Sequence, residues 1–223
     1  MKSISLLLSL LLTCFALNSQ ATEFYVGADI APLNLWNECI AWFYCPHNNE
    51  SSNSGHSIGT GFRVGMLQPS GIAKTGWEIG YDKLGSISGS TEYYPQGCNL
   101  FCFGPTATAT WNHEATMKYV DALVSIPNSK DDAQSLVIKI GIYRSSVKSD
   151  GNYGLGGGSY SRVQSGNGLM MGLAGTYPIT NQLSARLIFD LFFNVKVADP
   201  IDPRDTLSDL LLKIALGVDY IFH

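Results

Sequence analysis

The chain has 223 residues, of which 45% are apolar, only 14% are charged and 23 are glycine. An ordinary soluble domain carries about 25% charged residues, so this composition fits one sizeable apolar-rich domain and excludes general disorder. Fourteen basic against eighteen acidic residues leave a formal charge of −4 with no basic run, which excludes nucleic-acid phosphates as a partner class.

The N-terminus has the layout of an export signal. Lys2 precedes an apolar run from Ile4 to Leu17, and Ser19-Gln20-Ala21 puts small residues where a signal peptidase cuts. Residues 1–21 are therefore expected to be a signal peptide cleaved near Ala21–Thr22, with 22–223 as the mature domain. The run is shorter than the ~20 residues of a spanning helix, and no later stretch reaches ~18 consecutive apolar residues. Thr13 before Cys14 argues against a lipoprotein signal.

From Thr22 onward the apolar period is two, as in strands. Eight alternating segments follow in order at 24–35, 58–67, 76–86, 116–126, 136–143, 169–177, 183–195 and 212–222. In the seventh, Leu183, Ala185, Leu187, Phe189, Leu191, Phe193 and Val195 alternate with Ser184, Arg186, Ile188, Asp190, Phe192 and Asn194. The eighth sets Leu212, Ile214, Leu216, Val218, Tyr220 and Phe222 against Lys213, Ala215, Gly217, Asp219 and Ile221.

A secreted β-sandwich would also alternate. Three features favour a membrane barrel. Several segments run to ten residues or more, against about five or six in soluble sheets and 9–11 for a tilted strand crossing a bilayer. The connections alternate in length: short at 68–71, 128–132 and 178–181, long at 37–57, 87–114, 149–166 and 196–207. The second face carries Gly, Ala, Ser and isolated charges, which suits the crowded interior of a small closed barrel. The expected fold is all-β, an eight-stranded antiparallel up-and-down transmembrane barrel with four long surface loops and three short periplasmic turns.

Parity places Asp29, Arg63, Glu78, Asp82, Asp121, Lys139, Arg186, Asp190, Lys213 and Asp219 inside, as a charge network filling the lumen. A proton or ion path is the alternative role for these groups. Lys83 shares parity with Trp77, Ile79 and Tyr81, so it either snorkels from the lipid face or follows a bulge. Phe24, Trp77, Tyr177 and Phe222 are expected to form one aromatic girdle, and Trp36, Trp111 and Phe193 the other.

The stretches F-Y-V-G-A-D-I, L-V-I-K-I-G-I-Y and L-K-I-A-L-G-V-D-Y-I-F resemble the strands of OmpA-like and opacity-protein-like eight-stranded outer-membrane barrels. The likeness covers the mature chain and lies in pattern rather than in a diagnostic motif, so it implies an architecture and not an activity. In that family the last strand ends in an aromatic assembly signal, which Tyr220 and Phe222 match, although His223 follows. The resemblance implies an outer-membrane location in a Gram-negative bacterium.

Export favours disulfides between Cys39, Cys45, Cys98 and Cys102. Of the three connectivities, the short-range pairs Cys39–Cys45 and Cys98–Cys102 are expected, with a loop-to-loop staple as the alternative. Cys39, Cys45, His47 and His56 match no compact zinc module, so neither metal nor cofactor is expected. Catalytic material is thin: His56 and Ser57 are neighbours that leave a strand on opposite faces, and His113, beside Glu114, reaches across to strand three only if the register allows. Trp42, Phe43 and Tyr44, three consecutive aromatics beside the cysteines, form a candidate contact patch. The expected function is envelope-structural or adhesive and non-enzymatic, in a monomer. Its surroundings would be outer-membrane lipid and lipopolysaccharide, and its loops would meet a host-surface or envelope protein. An OmpW-like conduit for small hydrophobic molecules, a lipid A-modifying enzyme and a soluble sandwich are the alternatives.

Overall fold

The computed structural model describes residues 22–37, 52–93, 107–127, 134–152, 158–198 and 206–222. Signal segment 1–21, the four cysteines, Trp42, Phe43, Tyr44 and the turn expected at 128–132 lie outside the described residues. The described chain is all strand and turn: β1 Glu23–Asn37, β2 Ser52–His56, β3 Gly59–Ser70, β4 Ala73–Tyr93, β5 Ala107–Pro127, β6 Ser135–Asn152, β7 Ser159–Pro178, β8 Leu183–Ala198 and β9 Thr206–Phe222.

Each strand pairs antiparallel with its neighbours, and β1 pairs with both β3 and β9, which closes the ring. β2 runs along the far end of β4 as a continuation of β3, broken at Ser57-Ile58, so the ring has eight staves. Closure pairs β1 and β3 to β9 each with a strand on both sides, while the short β2 pairs with β4 alone. Two short connections on the side of the termini are seen. Gly71, with φ 64°, takes the first position of a two-residue turn between Ser70 and Ala73, where a II′ hairpin needs glycine. At the other, the Thr180 hydroxyl accepts bonds from the amides of Gln182 and Leu183.

Alternation becomes a two-sided wall. Ile140, Ile142, Leu169 and Leu216 are each more than half exposed on the outer surface, while Lys139, Met170 and Ala215 beside them are at 1%, 0% and 0%. The interior is filled. An apolar cluster including Leu84, Met117, Met170, Phe192 and Leu211 lies toward the loop end, and Tyr25, Leu123, Val137 and Ala174 pack nearer the termini.

The strands run further than the periodicity implies, and all four long connections are correspondingly shorter, the first being 38–51 rather than 37–57. β4 and β5, each of 21 residues, pair up to Tyr93↔Ala107, so their connection is 94–106 rather than 87–114. β6 and β7 pair up to Asn152↔Ser159, and β8 and β9 up to Ala198↔Thr206. In these outer rungs Ala107, Ala109, Trp111 and Ala115 are buried inside, while Thr108, Thr110, Asn112 and Glu114 face outward. In these rungs the apolar side chains have moved from the outer face to the interior.

Among the described residues the register shifts at four places; one lies between Asn53 and His56 where β2 pairs with β4, and the other three are bulges in β1, β4 and β8. In β1, Ala31 and Pro32 together occupy one register step; proline has no N–H to lose to the ladder, so a bulge tolerates it. In β4, the shift lies between Lys83 and Ser86, at Leu84-Gly85, with Gly85 at φ 72°. In β8, Asn194 takes φ 67°, a left-handed conformation asparagine tolerates better than most residues. That third bulge corrects one expectation: Val195 is fully buried instead of facing outward with Phe193, and Asn194 is exposed in its place.

The aromatic girdle also needs correction. Phe24, Tyr177 and Phe222 are about half exposed at the termini end. Trp111, expected in the loop-side girdle, is 4% exposed and points inward, stacked on His113 at 4.7 Å between ring centroids. It lies above the apolar belt, where an outward indole would meet water.

Candidate functional site

The ten charged residues assigned to the lumen by parity all lie inside the wall, none more than 5% exposed. They converge from seven strands into one layer between the two apolar clusters. Arg63 on β3 is its hub: Nη1 donates to Asp29 Oδ2 at 2.6 Å, Nη2 and Nε donate to Asp219 Oδ1 at 2.6 and 3.0 Å, and Nε lies 3.8 Å from Glu78. Arg186 on β8 reaches across the bore to Glu78 on β4 at 2.8 Å and stands 3.5 Å from Asp219. Lys213 on β9 crosses likewise to Asp82 on β4 at 2.7 Å and meets Asp29 at 3.0 Å. Lys139 on β6 pairs with Asp190 at 2.6 Å, with Glu78 at 3.6 Å and Asp121 at 3.9 Å behind it.

Two supporting groups escaped the sequence reading. The Tyr25 hydroxyl donates to Glu78 Oε2 at 2.7 Å, and its ring lies 5.8 Å from the Arg186 guanidinium. Tyr25 has the parity of Asp29, so its inward direction was available from the alternation, although its partner was not. Glycines make the room: a Cβ at Gly27 would overlap Asp219 and Arg63, and one at Gly172 would overlap Asp190. Asp121 is the least satisfied member. Neither of its oxygens accepts a hydrogen bond, and the layer holds six carboxylates against four cations.

Pairs between non-adjacent strands cross-brace the wall and obstruct the bore. Such a layer can hold the barrel in one register, because slipping a strand by one residue would turn its charge out onto the apolar outer face.

Lys83 faces outward just before the β4 bulge and pairs with Glu114 at 2.8 Å. Glu114 and His113 thus leave β5 on opposite faces. His113 is buried, with Nδ1 2.8 Å from the Ser149 hydroxyl on β6. This chamber lies above the apolar belt, and burial pushes the imidazole pKa down to about 4. The base and hydroxyl are within reach of each other, but both face inward, and Ser149 has no exposed surface. Ser57 makes a different bond, accepting from the Ser86 amide at 2.5 Å; the side chain of His56 lies outside the described residues. Among the described residues no group of three or more His, Cys, Asp or Glu side chains is placed to hold a metal ion.

No protein-family model and no curated protein matches the sequence. Solved structures do. A major outer membrane protein from Thermus thermophilus is 14% identical, with a TM-score of 0.53 over 91% of this chain and all of that one. The N-terminal β-barrel domain of Pseudomonas aeruginosa OprF is 10% identical at a TM-score of 0.45, over 91% of this chain and 98% of that one. Ail, the attachment invasion locus protein of Yersinia pestis, is 10% identical at 0.42, over 91% of this chain and all of that one. At such identities the likeness establishes the fold alone. This chain has the eight-stranded antiparallel barrel fold found among outer-membrane proteins.

Proposed function

We propose that this chain is a surface barrel of a Gram-negative outer membrane, non-enzymatic, with an envelope-structural or adhesive role carried by its loops. The observation that supports it best is the inverted distribution of polarity: a belt of half-exposed Ile, Leu, Val and Phe encloses ten buried charges. Water would penalise that outer surface, whereas acyl chains solvate it and the closed ladder leaves them no unpaired backbone. Residues 1–21 direct export and are removed, and the termini lie on the periplasmic side.

A conduit needs an open, apolar-lined bore, but here Arg186 and Lys213 span it to Glu78 and Asp82. A lipid A-modifying enzyme needs its nucleophile at the lipid, but His113 and Ser149 face the interior. The remaining material for function is at the loop end. There Cys39–Cys45 and Cys98–Cys102 close the tips in an oxidising compartment, and Trp42, Phe43 and Tyr44 present an apolar patch to a host-surface or envelope protein.

Gel mobility of an outer-membrane fraction, with and without boiling, tests the barrel. A closed barrel migrates differently unheated, while identical mobility, or recovery of the chain in the soluble fraction, overturns the proposal. Binding of expressing cells to host surfaces tests the adhesive branch. Replacing Trp42, Phe43 and Tyr44 by Ser abolishes attachment if the loops adhere, and unchanged attachment leaves the structural role alone.

A further inference from the structure

Three successive rungs on the outer wall mark where the hydrocarbon environment ends. In the lowest, Val64, Ile79, Val120, Ile142 and Leu169 are paired neighbours from β3 to β7. The next rung toward the loops is Phe62, Tyr81, Lys118, Arg144 and Asn167, and the one above it holds Thr60, Lys83, Thr116, Ser146 and Ser165. The wall therefore passes from apolar through cationic to hydroxyl-bearing within three rungs.

Lys118 and Arg144 face each other directly across the β5–β6 ladder, both outward and exposed. Two like charges at opposed positions repel, so their juxtaposition needs an anion to offset it. Other outward lysines have one: Lys83 pairs with Glu114, Lys148 with Asp150, and Lys74, at the opposite edge of the belt, with Glu23. Lys118 and Arg144 make no ion pair among the described residues. Beneath them the outer wall has an open groove of about 730 Å³, lined by Phe62, Ile79, Val120 and Ile142, with the two cations and Asn167 at its upper lip. Its lining is almost wholly apolar, so its occupant needs hydrocarbon below and negative charge above.

We infer that this groove is a binding site for lipid A, with acyl chains along Ile79, Val120 and Ile142 and a phosphate between Lys118 and Arg144. The assignment rests on the outer-membrane placement proposed above. In that placement the cationic rung lies on the loop side, at the headgroups of the outer leaflet, where the phosphorylated lipid is lipid A. Arg144 suits a phosphate because its planar fork can donate two parallel bonds, and Lys118 adds a point charge beside it. The Asn167 amide stands next to Arg144 as a further polar contact for the sugar.

The test uses the full-length barrel in nanodiscs, with bound lipid counted by native mass spectrometry. The probes are lipid A, dephosphorylated lipid A and phosphatidylglycerol. Wild type is expected to retain lipid A and to hold both other lipids about tenfold less well or worse. Lys118→Ser with Arg144→Ser is expected to lose that preference, while Lys83→Ser with Lys148→Ser keeps it. Equal lipid A retention by the Lys118/Arg144 variant, or an equal loss in the Lys83/Lys148 control, overturns the site. Retention of phosphatidylglycerol as strong as that of lipid A also overturns it, leaving a general anionic interface. The dephosphorylated probe needs no variant, so the site can still be refuted if a substitution prevents folding. A wild-type chain that shows no heat-dependent gel mobility refutes the membrane placement itself, which distinguishes that failure from loss of the site alone.

Discussion

Replacing Arg63 with Leu removes the guanidinium hub of the lumen layer without adding charge. Its guanidinium, 1% exposed, holds Asp29 at 2.6 Å and Asp219 at 2.6 and 3.0 Å. Afterwards Asp29 keeps Lys213 at 3.0 Å and Asp219 keeps only the long contact from Arg186 at 3.5 Å, so the layer has six carboxylates against three cations. Removing one partner of a buried pair costs about 3–5 kcal/mol, or two to four powers of ten in the unfolding constant. The larger value is expected here because two acids lose their shortest bonds. Neutralising them as well, in Arg63→Leu/Asp29→Asn/Asp219→Asn, should recover most of the loss, since whole pairs can often be replaced at little cost. Urea unfolding of the barrel in liposomes, followed by tryptophan fluorescence and unheated gel mobility, measures both steps. A single variant within about 1 kcal/mol of wild type, or a triple variant no better than the single, would refute a load-sharing network.

Three further outcomes are expected. His113 stays neutral in the fold down to about pH 4 but protonates near 6.5 when unfolded. Its neutral burial therefore costs nothing above pH 6.5, and stability falls as acid is added from there to pH 4, by up to about 3 kcal/mol. His113→Phe should flatten the unfolding midpoint across that window, and an unchanged profile would place the acid response elsewhere. In single-tryptophan variants, brominated acyl chains should quench Trp77 and leave Trp111 bright, because Trp111 lies inside; strong quenching of Trp111 would put it on the outer wall. Gly27→Val drives a branched side chain into Arg63 and Asp219 and should lower stability by at least the 1–3 kcal/mol of ordinary overpacking. A variant that refolds with wild-type urea sensitivity would show that the layer yields.

Alternation of side-chain character made the ring and the direction of the ten charges legible, because a period of two leaves each residue only one choice of face. It misled where that choice was reset or where the outside medium changed. Val195 follows the Asn194 bulge, and one residue in a left-handed conformation turns everything after it to the other face. Trp111 sits where the apolar side chains have moved to the interior, so "apolar means outward" fails beyond Lys118 although the phase along β5 never breaks. Partners across the bore, such as Arg186 with Glu78, depend on which strands end up opposite, and no local pattern encodes that. The Lys118–Arg144 doublet needed the β5–β6 register before the two residues could be recognised as neighbours.

The β4–β5 hairpin keeps its ladder from Lys118 out to Ala107, eleven positions along β5. At ~3.3 Å per residue and a tilt of ~40°, that raises its tip roughly 25–30 Å above the cationic rung. A hydrogen-bonded mast of that height cannot fold down against the wall without breaking its own rungs. Anything that touches the outermost described rung, Tyr93 with Ala107, must therefore do so at that height above the cationic rung, and a bulky cross-linking reagent should reach this rung more readily than the wall below it.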